Sequence, residues 1–419
     1  MRDALAGIVA AADGKVSGQD AIQRSLSAIR RHLDMDIAYV SEFSNNTSIF
    51  RKVDAPGLEH LVKVGDTMSL DDVYCRHILE GRLPQLIPDT ALEPLALSLP
   101  ITYQAPIGKH VSVPIIMPDG TIYGMFCCLG ARADSSLRDR DLEVLKVFAD
   151  VTAAEIAQQR ETARQLRARV DIVQAIINSG DLTIHYQPLW RIGQQRPVGF
   201  ECLSRFPREP YLTPDKWFAE AADLGLGAAL EIVAITQAIA VLPQLPADMY
   251  LAINVSPDTV LTGGLDTVLA DVPPSQVVLE ITEHALVDDY DRLIDALSVF
   301  RRRGIKLAVD DAGAGYSCLQ HILQLQPDLI KLDMALTRDI DCDPARKALA
   351  AALVSFAGET GSRIIAEGVE TEAELATLQS IGVAKAQGYL LGKPMPFAKA
   401  QELFADATTT PDAPEYVLS

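Results

Sequence analysis

Eight short runs of strand-forming residues alternate with helical stretches over about 220 residues of the C-terminal half. This count and alternation are typical of an α/β barrel of the TIM type. A doubly wound open sheet shares the alternation and is the alternative fold. The eight runs begin at Thr183, Val198, Tyr250, Val277, Ile305, Asp328, Arg363 and Ala384.

Most of these runs place an acid, an amide or a lysine within the strand or at its last position. One such residue is ordinarily a structural polar group, but a residue of this kind on nearly every strand indicates a shared site, because the strand ends of a barrel meet at one mouth. The set comprises Glu201, Asn254, Glu280, Asp310, Asp311, Lys331, Glu367 and Gln387.

The fifth run delivers two adjacent carboxylates, Asp310 and Asp311, to a loop with glycines at 313 and 315. Alone, such a pair is an ordinary turn or helix cap. Beside other acids it predicts a cation site, because adjacent carboxylates repel one another. Oxygen donors without Cys or His favour Mg²⁺ or Mn²⁺ over zinc. Two such ions about 3.5 to 4 Å apart activate water and stabilise a phosphoryl leaving group, which indicates hydrolysis of a phosphate diester.

Seven ordered motifs of this half resemble the EAL domain, a family of TIM-like barrels that hydrolyse cyclic di-GMP to linear pGpG. The motifs are Glu201-Cys-Leu-Ser-Arg-Phe, Asn254-Val-Ser-Pro, Glu280-Ile-Thr-Glu283, Asp310-Asp-Ala-Gly-Ala-Gly-Tyr-Ser, Lys331-Leu-Asp333, Ala366-Glu-Gly-Val-Glu370-Thr and Gln387-Gly-Tyr-Leu-Leu-Gly-Lys-Pro. The triplet reads Glu-Cys-Leu where the family has Glu-Ala-Leu, which predicts a thiol beside the site. Ala312 and Cys318 replace a Phe and a Ser of the family's loop, and we expect looser packing there.

The resemblance also implies a role for each residue of the site. Lys331 would contact the attacking water, Glu367 would be the general base, and Glu283 would brace the loop 312–319, which couples dimer contacts to metal binding. The first metal would be held by Glu201, Asn254, Glu280 and Asp310, and the second by Asp310, Asp311 and Glu367. Substrate contacts would come from Gln187, Leu203 and Arg205. Supporting residues would be Glu370 beside the catalytic groups and Asp333 and Gln387 beside the substrate.

The first 160 residues have a different pattern, a helix followed by β-rich runs. The runs 108–113 and 121–129 flank a Pro-Asp-Gly turn and predict a hairpin. This half resembles a GAF domain, an α+β sensor module with an antiparallel sheet. The motifs are Asp72-Val-Tyr-Cys-Arg-His-Ile-Leu, Gly108-Lys-His-Val-Ser-Val-Pro-Ile and Asp119-Gly-Thr-Ile-Tyr-Gly-Met-Phe-Cys-Cys-Leu. The resemblance implies an unknown small ligand, if any, since GAF domains also serve only as dimerisation modules.

Two pairs of residues in this half raise the question of chemistry. Cys75 and His77 are candidates for attaching a bilin or ligating haem or another metal, and the alternative is simple packing. Cys127 and Cys128 are adjacent in a predicted strand, so we expect their side chains on opposite faces.

A continuous helical pattern without Pro or Gly runs from 141 to 177 and predicts one long helix ending at Ser179 and Gly180. A plain linker and a dimeric coiled coil fit it equally well. We therefore divide the chain into a GAF-like domain (1–160), a connector helix (161–180), an EAL domain (181–400) and a tail (401–419).

Charge and composition limit the partners. A formal net charge of −19 excludes a broad surface for DNA or anionic membranes. No uninterrupted apolar run approaches the 18 to 20 or so residues of a membrane span, and the N-terminus lacks a signal-peptide core. The six cysteines have no metal or disulfide spacing. We expect a cytoplasmic homodimer that hydrolyses cyclic di-GMP. A catalytically weak or inactive receptor or scaffold is the alternative.

Overall fold

The computed structural model describes residues 18–194, 196–281, 289–312 and 316–405. The chain divides into two compact units between Ala168 and Arg169. This division falls inside one helix, Asp139–Ser179, which confirms the predicted long helix, and Gly180 follows it with a φ of 66°.

The N-terminal unit is built on a six-stranded antiparallel sheet in the order β3-β2-β1-β6-β5-β4, which confirms the predicted sheet. Its strands are β1 (Ile37–Ser44), β2 (Thr47–Asp54), β3 (Thr67–Ser69), β4 (Leu86–Ile87), β5 (Lys109–Ile116) and β6 (Ile122–Gly130). Its helices are α1 (Gly18–His32), α2 (Tyr74–Leu79), α3 (Pro94–Ser98), α4 (Ile101–Gln104) and the start of α5 (Asp139–Ser179), with a 3₁₀ turn at Thr90–Leu92.

Two hydrophobic cores lie on the two faces of this sheet. Helices α1 and α5 cover one face, where Leu26 and Phe148 are buried. The short helices cover the other face, where Tyr39 and Tyr74 are buried. Cys128 belongs to the first core and Cys127 to the second. The predicted orientation of this pair to opposite faces is confirmed.

The C-terminal unit is a closed eight-stranded barrel, so the alternative of an open sheet is excluded. The strand order is β10-β11-β12-β13-β14-β7-β8-β9. The strands are β7 (Thr183–Arg191), β8 (Pro197–Arg205), β9 (Tyr250–Val255), β10 (Val277–Ile281), β11 (Lys306–Ala312), β12 (Leu329–Leu332), β13 (Arg363–Ala366) and β14 (Lys385–Ala386). The helices are α6 (Pro214–Asp223), α7 (Gly227–Ile239), α8 (Pro257–Thr262), α9 (Gly264–Val268), α10 (Tyr290–Arg303), α11 (Tyr316–Leu325), α12 (Met334–Thr337), α13 (Pro344–Glu359), α14 (Glu372–Ser380) and α15 (Phe397–Ala405), with 3₁₀ turns at Leu242–Gln244 and Pro274–Gln276.

One strand departs from the all-parallel TIM pattern. Strand β7 is antiparallel to both of its neighbours, β8 and β14. The reason is the connection between β7 and β8, which spans only residues 192–196. A link this short joins antiparallel strands, because parallel neighbours need a crossover of a dozen or more residues. Strand β7 therefore runs from the carboxyl end of the other strands toward their amino end.

Strand alternation sets which side chains enter the barrel. Leu189, Ala252, Val278, Ala308, Leu329 and Ile365 form an apolar layer inside it. Their chain neighbours, such as Leu251, Leu279 and Leu307, point outward and join the core beneath the helices. Residues two positions along the strand share a face. The next inward positions beyond the apolar layer are therefore those of the predicted site.

One stretch, Gly227–Gln244, has the length and composition of a membrane span, although polar residues such as Glu231 and Gln237 interrupt its apolar run. In the fold it comprises α7, a short link and a 3₁₀ turn. Leu230 and Ile235 of α7 are buried within the unit. Packing on the barrel accounts for part of its apolar character, since 28% of the stretch is buried.

Candidate functional site

The carboxyl end of the barrel gathers most of the predicted acids into one buried cluster. Two sets of carboxylates have ligand oxygens within 4.8 Å of one another. The first set is Glu201, Glu280 and Asp310, and the second is Asp310, Asp311 and Glu367. Because Asp310 belongs to both, the two sets adjoin, and each could hold a cation.

Lys331 lies between these carboxylates and is fully buried. Its Nζ is 2.8 Å from Glu367 Oε1, 3.0 Å from Glu280 Oε2, 3.2 Å from Asp310 Oδ1 and 3.3 Å from Glu201 Oε1. One ammonium therefore faces four carboxylates. Burying four carboxylates with a single ammonium is costly in free energy, and further positive charge would offset the excess of negative charge.

The pKa values reflect this imbalance. Burial, reinforced by Glu201 and Asp310, raises the pKa of Glu280 to about 8 despite the opposing effect of Lys331. Burial also raises the pKa of Glu367 well above its ordinary value. Burial alone would lower the pKa of Lys331, but the surrounding carboxylates outweigh it and raise that pKa well above its ordinary value. Lys331 is thus held in its charged form.

Amides fix the orientation of Glu201. Asn254 Nδ2 lies 3.4 Å from Glu201 Oε1, and Gln387 Nε2 donates to Glu201 Oε2. Gln387 Nε2 also donates to Gln187 Oε1 at 3.0 Å, and Gln187 Nε2 donates to the carbonyl of Gly392 at 3.2 Å. Within the described residues, Glu280 Oε1 is buried and has no hydrogen-bond partner. That oxygen is a buried acceptor suited to a cation.

A break in strand register explains how two consecutive aspartates face one site. Adjacent strand residues normally point to opposite faces. The pairing of β11 with β12 shifts between Val309 and Ala312, and Asp311 has a φ of 58°. Its backbone N–H donates to Asp310 Oδ1 at 3.0 Å. This left-handed conformation costs about 1 to 2 kcal/mol for a residue other than glycine, and such strain clusters at functional sites.

Other predicted site residues do not belong to the two carboxylate sets or lie outside the described part. Asp333 caps α12 by accepting from the backbone N–H of Ala335 at 2.7 Å. Glu370 is exposed and pairs with Arg338 through two hydrogen bonds. Leu203 and Arg205 follow Glu201 toward the end of β8, where Arg205 Nη1 donates to the carbonyl of Ser204 at 2.8 Å. Glu283 and residues 313–315 lie outside the described residues, as does the side chain of Cys318.

The thiol of Cys202 does not lie beside the site, contrary to the prediction. Cys202 alternates with Glu201 along β8 and therefore points outward, into the core beneath the helices, with Tyr186 and Ile253. Ala312 is buried in the same core. The Cys in the signature triplet is thus a packing residue.

The N-terminal unit contains two adjoining cavities of about 50 and 180 Å³. Both are lined by Ile37, Leu61, Ala105 and Leu129. The smaller one is otherwise apolar except for aromatic hydroxyls and His110. Cys75 and His77 line neither cavity, and neither belongs to a possible metal-binding group among the described residues. Sequence reasoning missed His110, although it lies in one of the GAF motifs.

His110 predicts a pH dependence for the N-terminal unit. Its ring is buried against Tyr74 at a centroid distance of 5.0 Å, and its Nδ1 has no hydrogen-bond partner in the described structure. Burial lowers the pKa of His110 from 6.5 to about 3. The unfolded chain therefore binds a proton that the folded unit does not, and stability is lost as the pH falls from about 6.5 toward 3.

We expect the free energy of opening of β5 to decrease by up to about 1.4 kcal/mol per pH unit in this range. Hydrogen exchange of β5 followed by mass spectrometry measures it. His110→Gln removes the titrating group, so the free energy of opening of β5 should depend less on pH in this variant. If the pH dependence were unchanged, His110 would not be its source.

The barrel and its oxygen donors define a class of protein: an α/β barrel with a buried carboxylate centre at the carboxyl ends of its strands, able to hold divalent cations. A model of the EAL domain matches residues 169–394, and a model of the GAF domain matches residues 17–156. The EAL match covers more than half of the chain, so the chain belongs to the EAL-domain family and carries an N-terminal GAF domain.

Relatives and solved structures agree with this assignment. The chain is 30% identical to an uncharacterized signaling protein of Caulobacter vibrioides over 78% of its own length and 41% of that protein. It is 30% identical to the cyclic di-GMP phosphodiesterase RocR of Pseudomonas aeruginosa over 58% of its length and 64% of RocR. The PaMucR phosphodiesterase in complex with c-di-GMP matches with a TM-score of 0.50 and 27% identity, over 55% of this chain and 99% of that one. The chain thus spans less than two thirds of the length of the Caulobacter protein and of RocR.

Proposed function

We propose that this chain hydrolyses cyclic di-GMP to linear pGpG with two divalent cations, Mg²⁺ or Mn²⁺. The observation that carries the proposal is the pair of carboxylate sets joined by Asp310 at the carboxyl end of the barrel. Support for the substrate comes from RocR, which is named as a cyclic di-GMP phosphodiesterase. It also comes from the PaMucR phosphodiesterase, whose structure contains c-di-GMP.

The residues present fit the two ions. The donors are oxygens, four carboxyl groups surround one ammonium, and Glu280 Oε1 is a buried acceptor without a partner among the described residues. When bound, the ions would lower the pKa of a water molecule and stabilise the charge that develops on the phosphate. We assign the first ion to Glu201, Asn254, Glu280 and Asp310, and the second to Asp310, Asp311 and Glu367.

The chain's own side chains then have distinct roles. Lys331, held charged by its neighbours, would hold the attacking water by donating a hydrogen bond to it. Glu367, 2.8 Å from that ammonium, would accept the proton that the water loses. Gln387 would keep Glu201 oriented, with Gln187 as its partner. Arg205 would bind a phosphate oxygen, and Leu203 would pack against the substrate. Asp333, Glu370 and Glu283 would support this arrangement.

The test is incubation of the purified chain with cyclic di-GMP and either cation, followed by chromatography of the products. We expect pGpG only when the cation is present, and no product in EDTA. Binding of cyclic di-GMP without product under either cation would favour the alternative of an inactive receptor. Neither binding nor product would favour a scaffold.

We also propose that the N-terminal unit binds a small molecule, that it regulates the barrel, and that the chain forms a homodimer in the cytoplasm. Two adjoining cavities, the smaller of which is lined by His110, support binding of a small molecule.

A reducing compartment is supported by free thiols, which are those of Cys75, Cys127, Cys128, Cys202 and Cys342. Native mass spectrometry with an absorbance scan of the purified chain tests ligand and stoichiometry together. A ligand-free monomer would contradict the binding and dimer proposals.

A further inference from the structure

The amino end of the barrel, opposite the carboxylate centre, carries a cluster of four cations: Arg191, Lys306, Arg363 and Lys385. Lys306, Arg363 and Lys385 are the first residues of β11, β13 and β14. Arg191 is the last residue of the antiparallel β7, so it lies at the same end, and it pairs in register with Lys385. We call these four residues the basic ring.

All four residues of the basic ring occupy inward positions. Lys306 precedes the inward Ala308 by two residues, and Arg363 likewise precedes Ile365. Arg191 follows the inward Leu189 by two. Lys385 lies over the ring of Tyr250, 4.7 Å from its centroid, and its Nζ is 3.1 Å from the Tyr250 hydroxyl. These positions lie around the barrel axis at its amino end, where Arg191, Lys306 and Arg363 are exposed and Lys385 is half-buried.

The charges of the basic ring are not balanced by acids. In the part of the chain that the structure describes, none of the four residues forms a salt bridge. Two acids at the same end have other partners: Asp248 pairs with Arg196, while Asp328 Oδ2 accepts from the backbone N–H of Leu307 at 2.9 Å and lies 3.9 Å from Arg301. The four like charges gathered at this end of the barrel repel one another, although the chain as a whole is acidic, with a net charge of −19.

The state of Lys385 is consistent with this repulsion. Burial, reinforced by Lys306, Arg191 and Arg363, lowers the pKa of Lys385 to about 8. An anion bound between these residues would relieve the repulsion.

We propose that the basic ring binds a phosphate-bearing small molecule at the end of the barrel opposite the carboxylate centre. Guanidinium groups from Arg191 and Arg363 match phosphate oxygens in bidentate geometry, and the two lysines add compact charges. A small anion fits better than an extended anionic surface, because the positive charge is confined to the cross-section of the barrel and the rest of the chain is acidic. The site is separate from the diester chemistry and does not depend on it.

The test uses inorganic pyrophosphate in EDTA, so that no cation can recruit it to the carboxylate centre. Both tryptophans of the sequence, Trp190 and Trp217, lie in the barrel unit, and their fluorescence therefore reports on its unfolding. At a concentration a hundredfold above its dissociation constant, pyrophosphate should raise the midpoint temperature of thermal unfolding by about 5 °C or more. The reference is the same protein in NaCl of equal ionic strength.

The double variant Lys306→Gln/Arg363→Gln should lose this shift, and without pyrophosphate it should be at least as stable as the parent chain. The charge-matched control Lys347→Gln/Lys399→Gln removes two exposed cations elsewhere and should keep the shift. An equal shift in all three proteins, or none in the parent chain, would overturn the proposal. A third outcome is that the parent chain binds phosphatidylglycerol vesicles, the variant Lys306→Gln/Arg363→Gln does not, and pyrophosphate has no effect on either. That outcome would overturn the small-molecule proposal in favour of a membrane surface.

Discussion

Glu201→Gln is expected to reduce hydrolysis of cyclic di-GMP by more than about a hundredfold. The side chain supplies a carboxylate to the set with Glu280 and Asp310, and two amides hold its oxygens in place. Replacing it by the isosteric amide removes one negative charge from the first cation position while leaving the packing intact. Changes to outer-shell partners of metal ligands already cost about 10- to 100-fold, so loss of a ligand should cost more.

The measurement is the initial rate of pGpG formation at saturating Mn²⁺. Glu359→Gln is the matched control, because Glu359 is an exposed residue at the end of α13 and the change in charge is the same. We expect the control to keep the parent rate. If Glu201→Gln retained full activity, Glu201 could not be a ligand, and the assignment of the first cation would be wrong.

Lys331→Met is expected to destabilise the metal-free barrel by about 3 to 5 kcal/mol. This substitution removes the only cation that contacts these four carboxylates in the described structure. Removing one partner of a buried ion pair leaves the other charge buried without compensation, which lowers the free energy of unfolding by about this amount. For a unit of this length each kcal/mol corresponds to about 2 to 4 °C in the unfolding midpoint.

Divalent cations should restore much of this loss. In EDTA, tryptophan fluorescence should report an unfolding midpoint for Lys331→Met roughly 6 to 20 °C below the parent chain. Mn²⁺ should then raise the midpoint of the variant by more than it raises that of the parent, because the variant has lost the competing ammonium. The control Lys347→Met removes an exposed lysine and should have little effect in either condition. A variant as stable as the parent in EDTA would contradict the charge imbalance that we derive.

Most of the site could be predicted because a barrel brings its strand ends together. Strand-forming residues followed by Glu280, Asp310 or Glu367 are readable from the sequence, and the closed barrel places these residues within one cluster. The direction of β7 could not be read in the same way, because a strand has the same alternation in either direction. That direction brings Gln187 to the carboxyl end and Arg191 to the amino end.

Other features depend on geometry that the residue pattern does not specify. The outward position of Cys202 follows from its alternation with Glu201 along the strand, which is a pattern present in the sequence. The joint orientation of Asp310 and Asp311 depends on a register shift in β11. The basic ring was missed because each of its cations opens or closes a different strand, and only the closed barrel brings them together.

The most direct test of the central claim is anomalous X-ray diffraction from crystals of the chain grown with Mn²⁺. We expect two anomalous peaks at the carboxyl end of the barrel, one contacted by Glu201, Glu280 and Asp310 and one by Asp310, Asp311 and Glu367. The central claim would be contradicted if crystals in saturating Mn²⁺ showed no peak between the carboxylates and showed Lys331 still bound to all four of them.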